Sequence, residues 1–505
     1  MRTVFAAVLS LVSFAALADP TLVLVNGNVF TNDPAKPSAQ AIAITGSQIT
    51  AVGTNAEIKA LVTDAAKTRV IDVQGRMVIP GINDAHVHSA SGVPAFELGS
   101  DLNATWDNVA AALAGAVDET PADLWIRGTL GPALTNDSSI TREKLDKIAP
   151  RHKVLLESFV GHGLVMNSAA MKALGVAEDA KDPLGGRFER DANGKLNGRA
   201  WEYAQYQIDR RFADLAADDE LQEAIAALNA QAVGYGITSI QLMPMTTESR
   251  YAAALAKSGV PLRVRVINFP FTTDGALSQP NGGVKWILDG TPLERGAALR
   301  EAKYADGTRG RENFADIAPL LKIAEDNKQQ ILLHAVGDKT IATALNALSA
   351  RSFSRPRIEH ADGLQRDLLR QAKAVGAIAV LNPSHFQMRE FFPKGSYQPT
   401  ATLIKNDIPI AFGSDGPMNP FLNIMFATDR RDQPSEAISR QEALRAYTSG
   451  SAFAEFAEKS KGRIAAGMLA DVAVLSQNIF EVPAAALPDT RSVLTIIDGK
   501  VVHEQ

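Results

Sequence analysis

The 505-residue sequence contains no cysteine. That excludes disulfides, thiolate metal ligands, thiol nucleophiles and lipid attachment through a cysteine. Histidine is scarce as well, at 8 residues, so any clustering of imidazoles carries weight. Neither sign of charge dominates: 51 Lys and Arg stand against 56 Asp and Glu, a formal net charge of −5. No basic run is long enough to track a nucleic-acid backbone, which argues against nucleic acid as a partner. A small-molecule substrate, neutral or cationic, suits this balance better. Internal repeats and low-complexity segments are absent too.

The first 18 residues read apart from the rest. Arg2 precedes the apolar stretch Val4–Leu17, and Ala16-Leu17-Ala18 forms a small-x-small cleavage pattern before Asp19-Pro20. A bilayer core of ~30 Å needs about 20 apolar residues, so 14 do not make a stable membrane anchor. Residues 1–18 are expected to be a signal peptide. The mature product would then be exported, and periplasmic in a double-membraned bacterium.

Hydrophobic residues make up 46% and charged residues 21%, the composition of a soluble globular enzyme. The length exceeds the ~250–300 residues at which one core usually stops growing, unless the chain is an α/β barrel. Residues 19–79 show short β-branched runs divided by Asn26-Gly27, Gly46-Ser47 and Gln74-Gly75, which are hairpin signals. Residues 462–505 have the same texture, in Asp471–Leu475 and Leu494–Val502. Short strands need partners to bury a face, so the two ends are expected to form one small β-sandwich. Residues 80–461 alternate strand-like runs (Val154–Leu156, Ser239–Leu242, Leu262–Ile267, Val284–Leu288, Gln330–Leu333, Ile378–Leu381, Ile408–Phe412) with helical segments. That alternation predicts an α/β fold, most economically a (β/α)8 barrel of the TIM type. The polar, Gly- and Asp-rich stretch near 160–220 reads as an insertion.

The most informative motif is His86-Val87-His88, which follows the apolar run ending at Pro80-Gly81. On an extended backbone residues two apart share a face, so both imidazoles can reach one cation. Chance alone would give about 0.13 such pairs in a chain this poor in histidine. Four further residues stand at or just beyond candidate strands: Lys285, His334, His360 and Asp415. Their separations of 49, 26 and 55 residues fit one, one and two βα units. In a parallel barrel the strand C-terminal ends meet at one rim, where such residues converge. Taken singly, Lys285 could be an ion-paired residue, His334 or His360 a hydrogen-bonded core histidine, and Asp415 a turn residue before Gly416-Pro417.

With its Pro80-Gly81…His86-x-His88 entry, Val284-Lys285…Asp289-Gly290, His334-Ala335-x-Gly337-Asp338, Arg357-Ile358-Glu359-His360 and Gly413-Ser414-Asp415-x-Pro417, the chain resembles the amidohydrolase superfamily. The likeness is to its family 3 branch of formamide-deformylase-like hydrolases. It implies that His86 and His88 hold one divalent metal and that His334 and His360 hold another. Lys285, N-carboxylated, would bridge two Zn2+ ions, with manganese, iron or nickel also compatible. Asp415 would ligate one metal and act as general base while metal-bound hydroxide attacks a C–N bond of the amide or formamide type. Cyclic amides, carbamates, esters and phosphoesters suit the same site, and a non-catalytic metal- or ligand-binding protein is the remaining alternative. His162 and Glu202 match positions that the branch places near its substrate. His385, after Asn382-Pro383-Ser384, is another substrate-contact candidate, although the branch more often has Gln before that Pro. Trp201, Tyr203, Phe386, Phe391, Phe392 and Tyr397 are candidates for an apolar pocket wall, His152 and His503 read as surface residues, and a homodimer is compatible with the sequence.

Overall fold

The computed structural model describes residues 19–99, 101–392 and 398–505. The expected signal peptide and Tyr397 lie outside the described residues. Eight strands carry the centre of the molecule: β1 (Ile82–His88), β2 (Ile237–Met243), β3 (Arg263–Val266), β4 (Val284–Ile287), β5 (Ile331–Ala335), β6 (Arg357–His360), β7 (Ile378–Leu381) and β8 (Ile410–Phe412). β3, β2 and β1 pair in parallel as one sheet, and β4 to β8 pair in parallel, in order, as another. Just past β3, Asn268 makes a parallel bridge to Val284 in β4. At the other edge the Asp415 N–H donates to the His86 carbonyl across 3.0 Å. This is a TIM-barrel-like α/β fold.

Sequence periodicity explains the layers. β4, β5 and β7 are continuously buried, as parallel strands covered on both faces must be. Helix Asp338–Ser349 buries Ile341, Ala344, Leu345 and Leu348, the i, i+3, i+4, i+7 stripe of an amphipathic helix. Trp286, on β4, is fully buried in the same core. Gly413 is sterically required: a Cβ there would collide with the Cβ and backbone of His86. The close approach of the chain after β8 to β1 depends on that missing side chain.

The elaboration expected near 160–220 is larger than the composition suggested. Between β1 and β2 a six-stranded sheet runs in the order Gly186–Arg190, Leu196–Glu202, Gly163–Met166, Lys153–Ser158, Trp125–Leu130, Ala95–Glu97. It begins near residue 95 and encloses its own core of Leu155, Leu164 and Met166. Val154–Leu156, expected among the parallel central strands, sits in the middle of this sheet. A short apolar run looks the same in sequence whichever sheet it joins.

Strands from the two chain ends pair with each other. A four-stranded sheet (Gln48–Gly53, Ala41–Thr45, Leu22–Val25, Arg69–Asp72) is formed by the N-terminal segment alone. A six-stranded sheet pairs Val472–Leu475 antiparallel to Met77–Pro80, in the register Val472 to Pro80 and Val474 to Val78. Leu22, Ile42 and Ile44 from the first sheet share a core with Val78, Val474 and Ile496 from the second. Met77–Pro80 leads through Gly81 into β1, so this terminal core is tied directly to the strand bearing His86 and His88.

Candidate metal centre and active site

His86, His88, Lys285, His334, His360 and Asp415 line one cavity of about 670 Å3 at the C-terminal ends of the central strands. His162 and His385 line it as well, while Glu202 lies behind His162. The volume suits a small organic molecule.

His86 is oriented from behind. Its Nδ1 donates to Glu359 Oε2 at 2.7 Å. Glu359 is gripped by Arg357, with Nε to Oε1 at 2.7 Å and Nη2 to Oε2 at 2.9 Å. Arg357 also donates to Gln241 and to the Ala85 carbonyl. All three side chains of the His86–Glu359–Arg357 chain are fully buried. Burial alone would raise the Glu359 pKa, but Arg357 and His86 hold it at about 2. A carboxylate only accepts, so the proton of His86 sits on Nδ1 and Nε2 faces the cavity with a lone pair. Sequence reasoning missed this pair. The signal was an Arg and a Glu two apart on a strand whose neighbours are all buried, which places both on one face.

Lys285 Nζ lies 3.0 Å from His86 Nε2. Among the described residues no carboxylate stands within ion-pair distance of it. Burial lowers its pKa to about 8, although Asp415 and Glu359 pull the other way. The neutral amine is therefore accessible near neutral pH. Among the described residues His334 Nε2 is buried without a hydrogen-bond partner, and its ring centroid is 4.3 Å from that of His360. Burial, with His360 and His162 nearby, pushes its pKa well down, so it is a neutral donor. His360 Nδ1 donates to Asn382 Oδ1 at 2.9 Å, leaving Nε2 as its ligand atom. His360 and Asp415 both adopt left-handed backbone, with φ of 71° and 40°. Such conformations cost about 1–3 kcal/mol each and cluster at functional sites.

Asp415 stands between two imidazole pairs. Oδ1 is 3.6 Å from His86 Nε2 and 3.5 Å from His88 Nε2. Oδ2 is 3.5 Å from His385 Nε2 and 3.7 Å from His360 Nδ1. Burial would raise its pKa, yet His86, His385, His360 and His88 hold it well below the ordinary carboxylate range. Two donor groups, His86–His88–Asp415 and His360–His385–Asp415, each gather within 4.8 Å. Imidazole and carboxylate with no thiolate is a donor set for a divalent metal, and the orphaned His334 Nε2 adds a further buried lone pair. The residues fit a metal.

His162 Nδ1 donates to Glu202 Oε2 at 3.1 Å, and the Tyr206 hydroxyl is 2.9 Å from the same nitrogen. Both His162 and Glu202 are buried rather than solvated, and Glu202 has a left-handed φ of 55°. Burial opposes protonation of His162, but Glu202 and Glu294 raise its pKa. The aromatic wall differs from the expected one: Phe159, Tyr206, Phe269 and Phe271 line the cavity, whereas Trp201, Tyr203, Phe386, Phe391 and Phe392 do not. Tyr203 is instead core, its hydroxyl accepting from the Ile287 N–H at 2.9 Å. His152, expected at the surface, is buried against the Thr120 carbonyl.

The sequence model of the amidohydrolase family matches residues 69–503. The chain belongs to the amidohydrolase family. That membership makes it a metal-dependent hydrolase of carbon–nitrogen bonds. Among its relatives, YtcJ of Bacillus subtilis is 28% identical over 87% of this chain and 91% of that protein. The N-substituted formamide deformylase of Arthrobacter pascens is 26% identical over 96% of this chain and 98% of that enzyme. In fold it is similar to a metal-dependent hydrolase of Pyrococcus horikoshii, with a TM-score of 0.71 and 19% identity over 92% of this chain and 99% of that one.

Proposed function

We propose that this amidohydrolase cleaves the C–N bond of a small N-substituted amide or formamide in the cavity at the strand ends. The observation that carries the reading is the 3.5–3.6 Å spacing of the His86 and His88 Nε2 atoms from Asp415 Oδ1. That spacing is long for a hydrogen bond. Donors bound at about 2.1 Å to a tetrahedral ion stand roughly 3.4 Å apart. His86, His88 and Asp415 would hold one Zn2+, and His334 and His360 a second. Lys285, carboxylated on its neutral amine, would bridge them. When bound, the metal supplies Lewis acidity, polarising a carbonyl and acidifying water.

The chain's own side chains do the rest. The imidazoles around Asp415 favour its carboxylate form, so it can take a proton from the attacking water and pass it to the leaving nitrogen. Glu359 and Arg357 keep His86 in one tautomer. His162, fixed at Nδ1 by Glu202 and Tyr206, offers Nε2 to the substrate, and Phe159, Phe269 and Phe271 exclude water around the N-substituent. In this reading β1 to β8 close as a (β/α)8 barrel over residues 80–461, and residues 19–79 and 462–505 form one composite β-sandwich. Residues 1–18 direct export to the periplasm and are removed.

A hydrolysis screen over N-formyl, N-acyl, cyclic amide and ester substrates, with chelation and metal add-back, tests the reading. Metal-dependent turnover of a linear amide is the expected result. Turnover confined to esters or phosphoesters, or none after metal reloading, would overturn it.

A further inference from the structure

Two imidazoles in the cavity share one architecture. His86 has its Nδ1 on the Glu359 carboxylate and its Nε2 3.6 Å from Asp415 Oδ1. His385 has its Nδ1 on the Asp362 carboxylate, at 3.2 Å, and its Nε2 3.5 Å from Asp415 Oδ2. Asp362 is itself held: Gln398 Nε2 donates to its Oδ1 at 2.6 Å, and both Asp362 and Gln398 are fully buried. The His385 ring stacks on that of His360, with centroids 5.1 Å apart and planes at 18°. A carboxylate behind an imidazole, aiming the far nitrogen at a shared acceptor, is how proteins orient metal-ligating histidines. The two oxygens of Asp415 thus each face one such oriented imidazole, and a second imidazole accompanies each: His88 on one side, His360 on the other.

We propose that His385 is a metal ligand, and that His360, His385 and Asp415 Oδ2 form a divalent-cation locus distinct from His86, His88 and Asp415 Oδ1. Asp362 is the positioning residue that fixes the His385 tautomer, and Asp415 bridges the two loci through its separate oxygens. This rests on the reading that the cavity holds metal. The locus is the second metal of that reading, so His385 and Asp415 Oδ2 join His334 and His360 in holding it, and His385 moves from substrate contact to metal binding.

The test uses the full chain, stripped of metal and titrated with Zn2+ against a competing chelator, then with Co2+ to read its visible spectrum. The wild type is expected to bind two equivalents. His385→Ala should lose one of them, and Asp362→Asn, which keeps the side-chain volume, should weaken that same equivalent about 10–100-fold. The Co2+ band of the lost locus should vanish in His385→Ala while the other persists. Circular dichroism of the metal-free variants checks that each is folded, and His385→Gln replaces the alanine variant if that one is not. Failure of the wild type to bind any metal would sink the hydrolytic reading itself. Wild-type binding that His385→Ala, His385→Gln and Asp362→Asn all leave unchanged in stoichiometry, affinity and spectrum would overturn this proposal alone.

Discussion

Replacing Glu359 by Gln removes one charge from the buried chain His86–Glu359–Arg357 while keeping the side-chain volume. Arg357 is fully buried and would keep only Gln241 and the Ala85 carbonyl as strong acceptors. Breaking a buried pair from one side costs about 3–5 kcal/mol, because the other charge stays desolvated. The carboxyl pKa gives a similar figure: a drop from an ordinary 4.5 to about 2 corresponds to a stabilisation on the order of 3 kcal/mol. The folded pKa lies below the unfolded one. This stabilisation is therefore complete above about pH 4.5 and is lost as the pH falls towards 2. Denaturant unfolding of the metal-free protein at pH 7 should show the loss in Glu359→Gln, and the gap to wild type should close on acidification. The double variant Arg357→Met/Glu359→Leu, which removes both charges, should lose less than Glu359→Gln alone. Metal affinity should fall about 10–100-fold in Glu359→Gln, or about 1.4–2.7 kcal/mol, since the His86 tautomer is no longer fixed. A Glu359→Gln protein as stable as wild type, with the same metal affinity, would refute the reasoning at both points.

Asp415→Asn, assayed with metal in excess, should lose about 10²–10⁴-fold in kcat, as loss of a general base does, and retained turnover would remove Asp415 from that role. Lys285→Ala should lower metal content, and short carboxylic acids should restore part of it by occupying the bridge; unchanged stoichiometry would exclude a bridging role for Lys285. Trp286→Ala should destabilise the metal-free protein by about 3–5 kcal/mol. It should leave metal affinity alone, because its side chain packs into the core and not into the cavity.

The residues that converge were legible because strand periodicity and the spacing of βα units are written along the chain. His86 and His88 stand two apart on β1, and Lys285, His334, His360 and Asp415 recur at intervals of βα units near strand ends. What stayed hidden depends on partners distant in sequence. Glu359 reads as an ordinary charged residue until His86, 273 positions earlier, lies 2.7 Å away. The role of Asp362 emerges only when the loop carrying His385 folds back on it. The sheet built from residues 95–202 escaped because its strands carry the same short apolar runs as the central ones. The aromatic wall was misassigned because Phe159, Phe269 and Phe271 come from loops, where no periodicity marks which way a ring points.

Pairing of Val472–Leu475 with Met77–Pro80 sets the order in which this molecule can be completed. As the chain emerges from a ribosome, the strand that leads into His86 keeps an open hydrogen-bonding edge until nearly four hundred further residues have followed. Nicking or truncating the last forty or so residues would therefore strip a neighbour from the base of the metal-bearing strand and expose an adhesive edge. Damage at the tail would be felt as aggregation and a loosened centre, far from the cut.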